Sequence, residues 1–103
     1  MYSLQLTSEF ESWLDRLKDK KSQVRIAARL RQIESGNLGD WKAVGDRISE
    51  MCVHSGPGYR LYFTRKGNVL IIMLAGGSKS SQTRDITRAR NILLQLEAEH
   101  GEK

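Results

Sequence analysis

The spacing of apolar and polar positions changes period along the chain, and the changes divide it into elements. Tyr2, Leu4 and Leu6 alternate with Ser3, Gln5 and Thr7, the period of two that a short half-buried strand requires. SEFE, from Ser8, predicts a helix start in which the Ser8 hydroxyl caps a free amide and Glu11 reaches back. Phe10, Trp13, Leu14 and Leu17 then fall at i, i+3, i+4 and i+7, one apolar helix face. KDKKS (18–22) reads as a turn, and Ile26, Leu30 and Ile33, with Ala27 beside them, predict a second amphipathic helix. Gly36 and Asn37 stop it, since both tolerate the left-handed conformation of a helix end. Two helices joined by so short a turn predict an antiparallel hairpin.

From Trp41 the period returns to two. WKAV (41–44) predicts a short strand and Gly45-Asp46 a turn. ISEMCVH (48–54) is a strand with Met51 and Val53 on one face and Glu50, Cys52 and His54 on the other. SGPG (55–58) turns the chain, and YRLYFTR (59–65) alternates again, Leu61 and Phe63 opposite Arg60 and Tyr62. Lys66-Gly67-Asn68 is a hairpin turn, and VLIIMLA (69–75), apolar on both faces, is expected to be the central, doubly covered strand. GGSKSSQ (76–82) reads as a loop, with Ser80 or Ser81 capping a last helix that buries Ile86, Ala89, Leu93 and Leu96. The terminal HGEK is expected to fray. The resulting order, β-α-α-β-β-β-β-α over residues 1–103, is one α+β domain: an antiparallel sheet with an inserted N-terminal helical hairpin and a C-terminal helix.

Composition narrows the class. With 39% apolar and 28% charged residues the chain has the make-up of a folded globular domain. The N-terminal MYSLQLTSEF carries neither a basic leader nor a long apolar stretch, so no signal peptide is expected, and Val69–Ala75 is too short to span a bilayer. A single cysteine makes no internal disulfide, which points to a reducing, cytoplasmic setting, and the short apolar runs predict no membrane partner. A net charge of +5 favours an anionic partner, nucleic acid before acidic protein. Between Trp41 and Asn91 nine basic residues face three acids (Asp46, Glu50 and Asp85), so the excess sits in the sheet and last helix.

Candidate chemistry gathers on one strand face, where Glu50, Cys52, His54, Arg60 and Tyr62 share a side. Periodicity alone reads such a face as solvated, but a carboxylate, an imidazole and a guanidinium are also what phosphoryl transfer uses. An imidazole is the side chain whose ordinary pKa lies nearest neutrality, which makes His54 a candidate proton carrier, although a lone histidine at a strand end is more often an ordinary surface residue. GGSKSSQ reads either as a strand-to-helix turn or as an anion-binding loop; its glycine-to-lysine spacing does not fit a Walker A motif. Arg84, Arg88 and Arg90 on the last helix can reach a nucleic-acid backbone. Cys52 lacks the partners of a nucleophile, and one cysteine with two histidines at no ligand spacing predicts no metal site. Trp13 is expected in the core, whereas Trp41 fits core or surface.

Five blocks carry a resemblance over nearly the whole chain: F-x-x-W-L-x-x-L-K-D (Phe10 to Asp19), GNLGDWKAVGD (36–46), ISE (48–50), GPGYRLYF (56–63) and GGSKSSQTRDI (76–86). They resemble the RelE/ParE superfamily of toxins from bacterial type II toxin–antitoxin modules, most of all its HigB-like, phage-related addiction module killer subgroup. The resemblance implies a RelE-like fold and a cytosolic toxin held by a cognate helix-turn-helix antitoxin, whose complex binds operator DNA. It implies an endoribonuclease that cuts messenger RNA, on the ribosome or free, without metal or other cofactor. ParE relatives instead inhibit DNA gyrase without chemistry, and an attenuated toxin could serve mainly as antitoxin-binding co-repressor.

By position, the resemblance places Arg60 at the phosphate and Lys79 in the basic loop, which assigns both to transition-state charge; the chemistry of the residues themselves offers Glu50 or His54 for proton transfer. Lys42, Arg47, Tyr62, Gln82, Arg84 and Arg88 complete the expected RNA contacts, with Asp85 in the same motif as Gln82. RNA-cutting relatives often use a Tyr or His near the carboxyl terminus, a place that His100 would fill here. The clearest departure is Cys52, which stands where the subgroup pattern has arginine and so removes a cation from the expected site.

Overall fold

A computed structural model describes residues 1–99; the expectations for His100 and the HGEK tail lie outside the described residues. Five strands, β1 (Ser3–Leu6), β2 (Lys42–Gly45), β3 (Ile48–Val53), β4 (Tyr59–Lys66) and β5 (Leu70–Ser78), form one sheet in the order β1-β5-β4-β3-β2. The helices are α1 (Ser8–Asp15), α2 (Lys20–Glu34) and α3 (Gln82–Glu99), the last preceded by a 3-10 turn at Lys79–Ser81. The expected order holds. Strands β2 to β5 form the antiparallel meander, while β1, which precedes the two helices, pairs in parallel with β5, Leu4 opposite Ile71.

Both sheet faces are covered. Helices α1 and α2 bring Phe10, Ile26, Leu30 and Ile33 against Met51, Leu61, Phe63, Ile71 and Met73. Helix α3 packs Ala89, Ile92 and Leu93 against Ile48, Tyr62, Ile72, Leu74 and Ala75. The two-sided apolarity of β5 thus reflects burial on both faces, although β4 rather than β5 takes the middle place in the sheet. Between the pairs Tyr62–Ala75 and Phe63–Met73 the register shifts, leaving Leu74 as an extra residue. That bulge sends Leu74 and Ala75 to the same face, beneath α3. Among the described residues no helix is long and apolar enough to cross a membrane.

Several local expectations are corrected. Thr7, not Ser8, caps α1: its Oγ1 accepts from the Phe10 amide at 3.1 Å and donates to the Leu74 carbonyl at 2.8 Å, fastening the helix to β5. Helix α1 ends at Asp15, so Leu17 lies in the connection yet still packs on the core. The expected turn at 18–22 is shorter, because Asp19 caps α2 and the helix begins at Lys20. At the far end the Asn37 and Gly36 amides donate to the Gln32 and Ile33 carbonyls, both at 2.9 Å, around a Gly36 φ of +102°. This paired closure needs a left-handed residue, which explains the glycine. The stretch 76–82 is not a loop: β5 runs to Ser78, and Ser81 donates its hydroxyl to Asp85 instead of capping α3.

The β3–β4 turn rests on the amino end of α2. Asp19 Oδ1 accepts from the Lys21 and Ser22 amides, and Oδ2 accepts from Ser22 Oγ at 2.6 Å. Ser22 Oγ in turn lies 2.8 Å from Ser55 Oγ, and a Cβ at Gly56 would come within 2.7 Å of Asp19 Oδ2. The Ser22 hydroxyl and amide hold the Asp19 carboxyl below its ordinary range. A carboxyl lowered on folding stabilises above its unfolded value, about pH 3.9, and that stability is lost as pH falls through the folded value. Asp19→Asn is therefore expected to flatten the acid limb of a plot of urea midpoint against pH, leaving less of a difference near pH 2 than at pH 7. An acid limb of unchanged steepness would remove Asp19 from this role.

Candidate active site

Alternation places Glu50 and Cys52 of β3 and Arg60 and Tyr62 of β4 on the α3 side, with Glu50 paired to Tyr62 and Cys52 to Arg60. Helix α3 covers only part of this face. Glu50 and Tyr62 are buried beneath it, at 1% and 0% exposure, while Cys52 and Arg60 remain partly open. The expectation of one continuous solvent-facing or RNA-facing surface is therefore corrected: half of it is core.

Glu50 is the fixed point. Its Oε1 accepts from Arg60 Nη1 at 2.9 Å, its Oε2 accepts from Gln82 Nε2 at 2.7 Å, and Lys42 Nζ lies 3.9 Å from Oε1. A buried carboxylate is tolerable only with such partners, and here strand and helix each supply one. With no side-chain surface of its own, Glu50 has no free atom to move a proton on a substrate, which corrects that half of the acid/base expectation. Tyr62 is likewise enclosed, its hydroxyl unpartnered, so it offers no stacking surface to RNA. Burial above all, then the Glu50 and Asp85 charges, pushes its phenol upward against the opposing pull of Arg60, keeping it protonated.

Arg60 lies between this buried anchor and a cleft of about 380 Å³, where it meets Cys52, His54, Lys79 and the Ser55–Gly58 turn. Lys79 is placed there by its own amide, which donates to the Gly58 carbonyl at 3.0 Å. Its side chain is exposed, as is that of His54. Cys52 and His54 also border a second hollow, of about 260 Å³, beside Trp41, Lys42 and Glu50. The structure thus brings Arg60, Lys79 and His54 together, with Glu50 and Gln82 behind the arginine.

Other expected contacts lie elsewhere or are occupied. Arg47 precedes β3 at the end away from His54 and forms a two-pronged pair with Glu97, its Nη2 2.7 Å from Oε1. Arg88 Nη2 is bound to Asp85 Oδ1 at 2.5 Å. Arg84 is exposed beside Lys79 on the outer side of the 3-10 turn. Lys42 is exposed on the second hollow. Asp85 proves to be a core residue at 0% exposure, receiving Ser81 Oγ at 2.5 Å as well as Arg88.

One positioning residue had only a faint signal. Arg29, between Ile26 and Leu30 on α2, donates to the Cys52, Leu38 and Asp40 carbonyls at 3.1, 3.3 and 3.1 Å. It thereby fixes the end of β3 that borders the cleft. Gly39 leaves it room, since a Cβ there would lie 2.8 Å from Arg29 Nη2. An arginine within an apolar helix face is the sequence sign of such a tie. Among the described residues no group of three or more His, Cys, Asp or Glu is placed to hold a metal ion.

No family model matches the chain. An uncharacterized protein of Haemophilus influenzae is 40% identical over 93 residues, covering 90% of this chain and 94% of that protein. The chain belongs to that protein's family. Among solved structures, a doubly substituted variant of the E. coli toxin RelE in the free state superposes with a TM-score of 0.61 at 17% identity, over 84% of this chain and 96% of that one. The fold is therefore RelE-like, as the α+β arrangement of five strands and three helices also indicates.

Proposed function

We propose that this chain is the toxin of a bacterial toxin–antitoxin module and that it cuts messenger RNA. The observation that carries the reading is Arg60, held by buried Glu50 on the floor of a cleft that also presents Lys79 and His54. The RelE-like fold supports the toxin assignment. In the reaction the ribose 2′-oxygen attacks the adjacent phosphorus, His54 takes the hydroxyl proton, and Arg60 and Lys79 share the charge on the non-bridging oxygens. The bond from phosphorus to the 5′-oxygen breaks, that oxygen takes a proton from solvent, and a 2′,3′-cyclic phosphate and a 5′-hydroxyl end remain. A helix-turn-helix antitoxin is the partner, and operator DNA is reached through the complex. The HigB-like subgroup and the cytoplasm are part of the same reading.

Induction of the chain without an antitoxin tests it. Loss of translation with transcripts bearing new 5′-hydroxyl ends is the expected result. An SOS response with intact messages would replace the endonuclease by a gyrase inhibitor, and neither effect would leave the co-repressor role. Cys52 adds a graded prediction, because it faces Arg60 across the β3–β4 ladder and borders the cleft. Cys52→Arg is expected to deepen growth arrest at equal expression by adding a cation to the site. Equal arrest by both forms would remove any attenuating role for the cysteine.

A further inference from the structure

Much of the arginine charge in the second half of the chain is paired within the fold. Arg47, Arg60, Arg88 and Arg90 are each matched to a carboxylate, those of Glu97, Glu50, Asp85 and Asp46. Of these, Arg60 lines the cleft; the pairs of the other three leave little charge for holding a polyanion, since few counterions remain to be released. The α1–α2 connection, together with the first two residues of α2 (16–21), differs. Arg16, Lys18, Lys20 and Lys21 are all exposed there, and among the described residues none of the four forms a salt bridge. The same segment has two carboxylates, Asp15 and Asp19, and Asp19 is engaged with amides and a hydroxyl at the start of α2.

This connection is not remote from the cleft. Ser55 and Gly56, which line the cleft, are the residues docked on Ser22 and Asp19. On the other side of the same turn Gly58 holds the Lys79 backbone, and exposed Arg84 follows. Exposed cations that form no salt bridge among the described residues therefore lie near both ends of this turn: residues 16–21 where it docks on Asp19 and Ser22, Lys79 and Arg84 beyond Gly58. Exposed lysines and arginines hold backbone phosphates, and such contacts carry no sequence preference.

We infer that the α1–α2 connection is a binding surface for single-stranded RNA, holding the strand that continues beyond the Arg60 cleft. The inference rests on the endonuclease reading for the identity of the polyanion, and adds the surface that would set affinity while Arg60 and Lys79 set rate. Its test is the binding of a labelled 2′-O-methyl RNA of about a dozen nucleotides, which fits common single-strand site sizes and cannot be cut because the attacking hydroxyl is blocked. The whole chain is compared with Lys18→Ala/Lys20→Ala/Lys21→Ala, all three positions being exposed, and thermal melting checks that the variant folds. Each single-strand phosphate contact contributes about 0.7 to the slope of log K against log salt, so the triple variant is expected to lose about 2 from that slope and about tenfold in affinity at physiological salt.

An unchanged slope and affinity would overturn the inference, as would an equal loss from Arg31→Ala, an exposed cation elsewhere on α2, or tighter binding to a duplex DNA of the same length. Transcript cutting in cells, scored separately, keeps the two readings apart. Cutting with unchanged RNA affinity in the triple variant sinks only this surface. Absence of cutting together with the predicted loss of binding sinks only the chemistry.

Discussion

Arg60→Ala is expected to abolish transcript cutting and growth arrest, and to lower stability at the same time. The catalytic loss follows from removing a preorganised cation at the reacting phosphate, about 10²–10³-fold for one such group. The stability loss has a separate origin. Glu50 has no exposed side-chain surface, and the variant leaves it with Gln82 as its near partner and Lys42 only at 3.9 Å. Breaking one side of a buried ion pair costs about 3–5 kcal/mol, and the low end applies here because the Arg60 side chain is 18% exposed and Gln82 remains. A second variant separates the effects: Arg60→Ala with Glu50→Gln removes the uncompensated charge. It is expected to recover much of the urea midpoint while remaining inactive. Growth arrest by the stable double variant would show that Arg60 acts on the fold alone.

The same residues show what alternation in the sequence can and cannot reveal. A period of two was sufficient to put Glu50, Cys52, Arg60 and Tyr62 on one face, and the register confirms it. It could not reveal that α3 lies across one end of that face, because the position of a helix over a sheet is a matter of tertiary packing. The signs were nevertheless present in combination. VLIIMLA demanded cover on both sides, α1 and α2 could provide only one, and α3 had an apolar side with no other destination. That reasoning would have buried Tyr62 and Glu50 in advance.

The shift of the helix cap from Ser8 to Thr7 is a different kind of miss. Thr, Ser and a following glutamate satisfy overlapping cap patterns, and the choice falls to Thr7 because its hydroxyl also reaches the Leu74 carbonyl of β5. Charge was misleading for a third reason. Counting residues between Trp41 and Asn91 omits Glu97, which lies outside that window yet pairs with Arg47. Formal charge along the chain records which cations exist, whereas the fold decides which of them an anionic partner can meet.

Gly77→Ala is expected to be severely destabilising. The glycine sits opposite Arg60 in the β4–β5 ladder, and a Cβ there would fall 1.8 Å from Asp85 Oδ2 and 2.6 Å from its Cγ. No rotation of a flexible tip relieves this, since Asp85 is itself buried and held by Ser81 and Arg88. The methyl must displace the carboxylate, and with it the first turn of α3, where Gln82 holds Glu50. Overpacking costs about 1–3 kcal/mol and the loss of a buried charged network about 3–5 kcal/mol, so the sum reaches much of the roughly 5–15 kcal/mol that a domain has in total. The variant is expected to accumulate as insoluble protein or to melt far below the parent. Gly45→Ala is the control, because a Cβ there meets nothing within 4 Å and only its φ of +104° opposes the change. Adding Asp85→Ala to Gly77→Ala makes the argument specific: removing the carboxylate opens the space the methyl needs. The double variant should then be more stable than Gly77→Ala alone, a non-additivity that contact between the two positions requires. A soluble Gly77→Ala with the parent's urea midpoint would mean that the double glycine serves the 3-10 turn rather than the packing of Asp85.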